Sequence, residues 1–220
     1  MTTFPNSPRL IKGGIVVLNP LTATVERVIS LQYNPDTLSR SLQIKGLGAS
    51  GGGDRSEALR LTGPPVETIK LDAEIDATDQ LEFPEQNPHA VEVGIHPQLA
   101  ALETLVYPTT GRIQSNISLA QSGTLEITPM ESPLTLFVWS KSRILPVRLT
   151  DFSVTEEAFD PLLNPIRAKV SIGLRVLSSD DLMPDHRGHS IFMAYHQQKE
   201  RLAALYDGGA LGGLGITRIP

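Results

Sequence analysis

The chain has 220 residues, and its 19 basic and 24 acidic side chains give a formal net charge of -5. It contains no cysteine, which excludes a disulfide framework, a thiolate metal site and a cysteine nucleophile. Because the chain is mildly acidic and has no basic run, we expect no nucleic-acid partner.

Seven segments have the two-residue alternation or the short apolar runs that are typical of β-strands. In chain order they are residues 10–18, 29–33, 38–44, 69–75, 134–139, 147–154 and 166–176. The seventh is the clearest, because apolar residues from Ile166 to Val176 alternate with basic or small ones. In the sixth, Asp151 breaks the alternation and predicts a β-bulge.

Two segments have helical spacing. The first begins near Pro97, which suits the first turn of a helix, and ends before Pro108. Its apolar stripe is Leu99, Leu102 and Val106. The second is amphipathic, with Ser190 as its predicted N-cap and Tyr206 near its end. We expect residues 46–57, 109–132 and 211–220 to be irregular.

Few helices among many alternating strands, without a regular strand–helix repeat, predict a mainly β (α+β) fold. We expect an antiparallel β-barrel or sandwich with one packed helix. This tube-like β domain is predicted over residues 1–177. A connector, an amphipathic helix and a glycine-rich tail are predicted over residues 178–220.

Two patterns that could indicate an active site have simpler interpretations. Residues 46–51 read G-x-G-x-x-G, but two further glycines follow where a dinucleotide site needs a helix N-terminus. His186 and His189 lie near three aspartates in a connector broken by proline and glycine, and we interpret them as solvated. We therefore predict no catalytic residue, no cofactor and no metal, and hence no enzyme.

A carboxylate cluster at a predicted strand end leaves one alternative open. Glu156, Glu157 and Asp160 could form a general acid–base pair, or they could keep a turn polar in solvent. We favour the solvated turn, and an enzyme that uses these carboxylates is the weakest of our functional hypotheses.

Three clusters of aromatic residues and proline lie at predicted strand ends. They are Tyr33-Asn34-Pro35; Pro133 with Phe137 and Trp139; and Phe159 followed by Pro165-Ile166-Arg167-Ala168. In this order and spacing they resemble the tube proteins of contractile injection systems, which are phage-tail-like particles. The resemblance covers about residues 10–177.

The resemblance implies a tube-type β fold that assembles into hexameric rings. It is similar to the N-terminal part of the adaptor, or tube initiator, between the spike hub and the inner tube. That adaptor usually adds a LysM domain, and this chain departs from the pattern because a connector, one helix and a glycine-rich end follow Leu182. The departure leaves open whether the chain is the adaptor or another ring of the tube stack.

We therefore expect a non-enzymatic structural component of such a particle, a virion-like part of a protein-secretion machine. Its expected partners are further copies of itself, a neighbouring tube ring, the spike hub and baseplate proteins. The candidate interface residues are Tyr33, Asn34, Pro35, Phe159, Arg167, Lys169, Ile191, Tyr195 and Leu202. The basic face of the last strand could meet acidic Asp72, Glu74 and Asp76, either within one subunit or between two.

No signal peptide is apparent in residues 1–9, and no apolar run approaches the ~20 residues of a membrane span. We expect synthesis and assembly in the cytoplasm, as part of a particle that stays in the cell or is released. The alternative function is a small-ligand or carbohydrate-binding β-barrel, with Trp139 and Tyr33 lining a pocket.

Overall fold

The computed structural model describes residues 11–19, 22–46, 61–123, 132–209 and 211–219. Seven strands and five helices occur in these residues. The strands are β1 (Gly14–Leu18), β2 (Val25–Ser30), β3 (Leu38–Gln43), β4 (Val66–Asp76), β5 (Leu134–Ser140), β6 (Arg143–Phe159) and β7 (Pro165–Val176). The helices are α1 (Thr78–Leu81), α2 (Pro88–Val93), α3 (His96–Glu103), α4 (Thr110–Gln121) and α5 (Arg187–Ala204). A short 3-10 helix, Leu211–Leu214, follows α5.

The strands form one antiparallel sheet in the order β2-β1-β5-β6-β7-β4-β3. The mainly β, antiparallel fold class is therefore confirmed, as one sheet and not the two sheets of a sandwich. Within the described residues, β2 and β3 are its two edges. The long β6–β7 hairpin forms its middle and runs from the pair Val147–Val176 to the pair Phe159–Pro165.

The predicted bulge at Asp151 is confirmed. The register between β6 and β7 shifts between Leu149 and Asp151, and Asp151 then lies opposite Gly173. A Cβ atom added at Gly173 would lie 2.8 Å from the Cβ of Asp151, so the bulge requires a glycine on the partner strand.

A smaller buried cluster, Leu18, Leu134 and Leu136, lies on one face of β1 and β5. The main core lies on the opposite face of the sheet, as the alternation of side chains requires. The largest side chains buried there include Ile69, Phe137, Leu145, Ile172 and Leu174. The helix predicted near Pro97 is α3, and its Leu99 and Leu102 cover this face as expected. Val106 lies beyond the helix and is exposed.

A side-chain bridge joins distant parts of the sheet. The Gln32 amide, just after β2, donates to the carbonyl oxygen of Asp76 at 2.6 Å and accepts from the Asp76 N–H at 2.9 Å. Asp76 ends β4, which lies five positions from β2 in the strand order. The sheet is therefore curled, so that its two ends approach each other like those of an open barrel.

The link between α2 and α3 is fixed to the start of β7. Ile95 N–H donates to the carbonyl oxygen of Pro165 at 2.9 Å, and the Asn164 amide donates to the carbonyl oxygen of Glu92 at 3.1 Å. Gly94 between them has φ of +58°, and a Cβ atom there would lie 2.2 Å from the Pro165 oxygen. Glycine is required at this contact.

Two predictions about helices were wrong. The C-terminal helix begins at Arg187, with His186 as its N-cap; the His186 ring accepts from Gly188 N–H at 3.0 Å, whereas the Ser190 hydroxyl donates to the Arg187 carbonyl. Residues 109–132 were expected to be irregular, yet they contain α4. Only Gly46 of the 46–57 segment is described, in a bridge with Leu61; residues 47–57 lie outside the described residues.

Candidate assembly surfaces

The Tyr33-Asn34-Pro35 turn is partly used within the chain. The Asn34 side chain accepts from Gly13 N–H at 2.9 Å and donates to the carbonyl oxygen of Ile11 at 2.9 Å. It thereby fixes the segment that enters β1. Pro35 is half-buried, whereas Tyr33 is exposed and is the member of the turn that offers a surface.

Phe159 ends β6 beside an apolar turn. Its side chain is exposed, and Leu162 and Leu163 in the same turn are 78% and 77% exposed. The turn is held by Asp160, whose carboxylate accepts from Leu162 N–H at 2.7 Å and from Asn164 N–H at 2.8 Å. The pKa of Asp160 lies below its ordinary value, chiefly because the Asn164 side chain donates a hydrogen bond to the carboxylate. Partial burial raises the pKa, whereas the two backbone donors lower it further.

Arg167 and Lys169 form ion pairs within the chain. The Arg167 guanidinium lies 2.8 Å from Asp76 and 3.9 Å from Glu74, both on β4, and Lys169 lies 2.7 Å from Glu157. Hydrogen bonds to these carboxylates raise the pKa of both cations. The sequence left open whether the basic and acidic strands meet within one subunit, and in this structure they do.

Asp76 is the most connected carboxylate of this group. Burial raises its pKa, but hydrogen bonds from the side chain and N–H of Thr78 and from Arg167 outweigh burial, so the pKa lies below its ordinary value. Asp76 is therefore an ionised structural group that joins β4, β7 and, through its backbone, Gln32.

The predicted contact face of the C-terminal helix does not lie on one exposed surface. Tyr195 is only 7% exposed and belongs to the core of the sheet, and Ile191 packs against a second cluster on β1 and β5. Leu202 is the only one of the three predicted residues that is exposed. The sequence did not predict that Tyr195 and Ile191 pack on their own chain, because helical spacing identifies an apolar face but not what that face contacts.

A buried ion pair also holds α5 on the sheet. Glu67 of β4 is buried, and its carboxylate lies 2.8 Å from Arg40 of β3 and 3.2 Å from Lys199 of α5. The Lys199 ammonium also lies 4.4 Å from the centre of the Tyr195 ring, a cation–π distance. The cluster joins the edge strand β3, the sheet and the helix.

The sheet edges carry apolar side chains that the sequence analysis did not single out. On β2, Val25 and Val28 are 60% and 63% exposed. On and beside β3, Leu42, Ile44 and Leu61 are exposed as well. An exposed apolar edge strand is prone to pair with another chain, so natural proteins usually protect it. The sequence predicted the strand that contains Leu42 and Ile44, but not the exposed positions of Val25, Val28 and Leu61, and not which strands form the edges.

The residues considered for an active site have other roles. Glu157 pairs with Lys169, Asp160 holds its turn and Glu156 is exposed, so the three carboxylates do not converge as an acid–base pair. Among the described residues, no group of three histidine or acidic side chains could hold a metal ion. No helix in the described ranges is long and apolar enough to cross a membrane.

The contacts of Trp139 do not fit the pocket expected at Trp139 and Tyr33. Trp139 is half-buried and stacks on Phe137, with ring centres 5.7 Å apart. It also packs closely on Gly13, where an added Cβ atom would lie 2.6 Å from the indole. Two grooves on the described surface are lined by other residues.

Comparison with known proteins gave distant structural similarity only. No protein-family model matches the chain, and no curated protein matches it. A chain from the tail of an empty GTA particle with C6 symmetry is 8% identical, with a TM-score of 0.30, covering 74% of this chain and 90% of that one. A chain from the virion of a native gene transfer agent particle is 8% identical, with a TM-score of 0.28, covering 74% and 89%. Similarity at this level carries no argument about function.

Proposed function

We propose that the chain is a structural, non-enzymatic ring subunit of a phage-tail-like particle. Within such a particle it would join the inner tube to the baseplate and spike hub. The resemblance of the three aromatic and proline clusters to tube proteins supports the particle class, the hexameric ring and the adaptor position. Its partners would be its own copies, a neighbouring tube ring and baseplate proteins.

The observation that carries the ring proposal is the pair of apolar sheet edges. β2 and β3 are different in sequence, so pairing β2 of one copy with β3 of the next is a head-to-tail contact. Such a contact closes a ring when the rotation between copies divides a full turn. It would also cover Val25, Val28 and Leu42, whose exposure is otherwise an aggregation hazard.

The internal ion pairs support the same arrangement. Because Arg167 and Lys169 are neutralised by carboxylates of their own chain, they need no partner for charge balance. The edge strands are therefore better candidates for the subunit contact than the basic face of β7.

The test is the mass of the purified chain with and without one edge substitution. Val28→Lys places a charge on β2, and we expect it to abolish closed rings and lower the assembled mass in sedimentation velocity. Gln114→Lys adds the same charge on α4, a helix with no buried residue that is not an edge strand, and should assemble like the unmodified chain. Unchanged assembly of Val28→Lys would contradict pairing through β2.

A further inference from the structure

The turn between β6 and β7, here called the hairpin tip (residues 159–164), is a rigid apolar projection. Asp160 N–H donates to the carbonyl oxygen of Asn164 at 2.9 Å, and Leu163 N–H donates to the carbonyl oxygen of Asp160 at 3.0 Å. With the Asp160 carboxylate bonds already described, the turn has one defined conformation. The outward side chains of Leu162 and Leu163 are thus presented without a large loss of entropy on binding.

Folding alone does not account for these two leucines. Leu163 has φ of +65°, a left-handed conformation that glycine or asparagine adopts more easily than leucine. Its side chain is almost as exposed as that of Leu162, so it contributes little to the core. Strained residues with exposed apolar side chains are characteristic of contact sites.

A groove of about 870 Å³, here called the connector groove, lies near the start of β6. Slightly more than half of its lining residues are apolar, including Leu134, Val147, Leu149, Leu177, Leu182 and Met183. Its volume is within the ~300–1,000 Å³ that is usual for binding clefts, enough for two leucine side chains and their turn.

The hairpin tip cannot reach the connector groove of its own chain. Leu149 lines the groove and Phe159 begins the tip, and both lie on the continuous strand β6. Ten residues of extended strand separate them, which corresponds to roughly 30 Å. A tip that fills this groove must therefore come from a second copy.

The charges of the tip and of the groove are complementary. At the end of β6 that adjoins the tip, Glu157 is neutralised by Lys169, which leaves the carboxylates of Glu156 and of Asp160 in the tip in excess.

In the groove, Asp181 is neutralised by Arg175 at 2.6 Å. Arg148 and Arg187 then outnumber Asp185, so the groove carries a small excess of positive charge. An acidic tip and a basic groove favour this pairing and its orientation.

We propose that the hairpin tip of one copy inserts Leu162 and Leu163 into the connector groove of the next copy. The contact is head-to-tail and uses surfaces separate from edges β2 and β3. It rests on the self-assembly proposed above and adds a second contact between copies. The two surfaces of this contact lie towards opposite ends of β6.

The absence of native cysteine allows a direct test by cross-linking. The full-length double variant Leu162→Cys/Met183→Cys carries one thiol at the tip and one in the groove, and both positions are exposed. Under mild oxidation we expect a ladder of dimers, trimers and longer species on a non-reducing gel. The control Leu162→Cys/Gln114→Cys places the second thiol on α4 and should give at most dimers.

A second measurement separates this contact from ring formation through the edges. Adding Val28→Lys to the cross-linking variant removes the proposed edge contact but should leave the ladder. Assembly that depends on Val28 without a Leu162–Met183 ladder would refute the tip–groove contact and retain the ring. Binding of the unmodified chain to phosphatidylcholine vesicles, with no ladder, would instead assign the tip to a membrane and overturn the proposal.

Discussion

The bridge from Gln32 to Asp76 provides a sharp test of how the sheet is held in its curled form. Gln32→Met keeps the length of the side chain but removes both hydrogen bonds, at 2.6 Å and 2.9 Å. Each is expected to contribute about 0.5–1.5 kcal/mol, so their loss should lower the free energy of unfolding by about 2 kcal/mol. For a chain of this size that corresponds to a decrease in Tm of about 4–8 °C.

Urea unfolding, followed by the fluorescence of the single tryptophan, Trp139, measures this change. The variants must be compared at one protein concentration, because assembly couples to stability. Gln114→Met on α4 is the matched control and should change stability little. A loss below about 0.5 kcal/mol for Gln32→Met would refute the bridge as a stabilising contact.

Three further predictions follow from other contacts, all measurable by urea unfolding. Gly94→Ala should lower the free energy of unfolding by about 3 kcal/mol, because Gly94 has a positive φ and an added Cβ atom would lie 2.2 Å from a carbonyl oxygen. Its control, Gly111→Ala, has open space in α4 and should raise the free energy of unfolding by about 0.5–1 kcal/mol. The pKa of Asp76 is lower in the folded chain than its value of about 3.9 in the unfolded chain, so the ionised carboxylate stabilises the fold above about pH 3.9. This stabilisation is lost as the pH falls through the lower, folded pKa. Asp76→Asn should therefore flatten the decline in the free energy of unfolding between about pH 5 and pH 2. Lys199→Met should lower the free energy of unfolding by about 1 kcal/mol, because it removes one of the two cations that pair with buried Glu67. A variant as stable as the unmodified chain would contradict a stabilising role for this ion pair.

The alternation of apolar residues predicted the strands well, because burial of one face is a property of each strand alone. Six segments match strands, the segment 29–33 shares only Ile29 and Ser30 with β2, and the phase break at Asp151 marks a real bulge. Strand order could not be predicted in this way, since it depends on which strands pair. The exposed positions of Val28 and Leu42 at opposite edges therefore became visible only in the structure.

Helix α4 was missed for a different reason. Its apolar residues, such as Ile113 and Ile117, are sparse, Gly111 lies in its first turn, and none of its residues is buried. A helix without a buried face leaves no strong periodic pattern in the sequence.

Among the candidate interface residues, sequence could identify side-chain type but not environment. Tyr195 and Leu202 share a helix face, yet Tyr195 is in the core and Leu202 is exposed. The apolar tip at Leu162 and Leu163 was passed over because neither residue belongs to a periodic segment.

The central claim, that this chain forms rings through its sheet edges, is tested most directly by electron microscopy of the purified full-length chain. The account predicts closed rings, six-fold if the resemblance to tube proteins holds, and their loss in Val28→Lys but not in Gln114→Lys. A chain that stays monomeric at every concentration, or rings that persist in Val28→Lys, would contradict it.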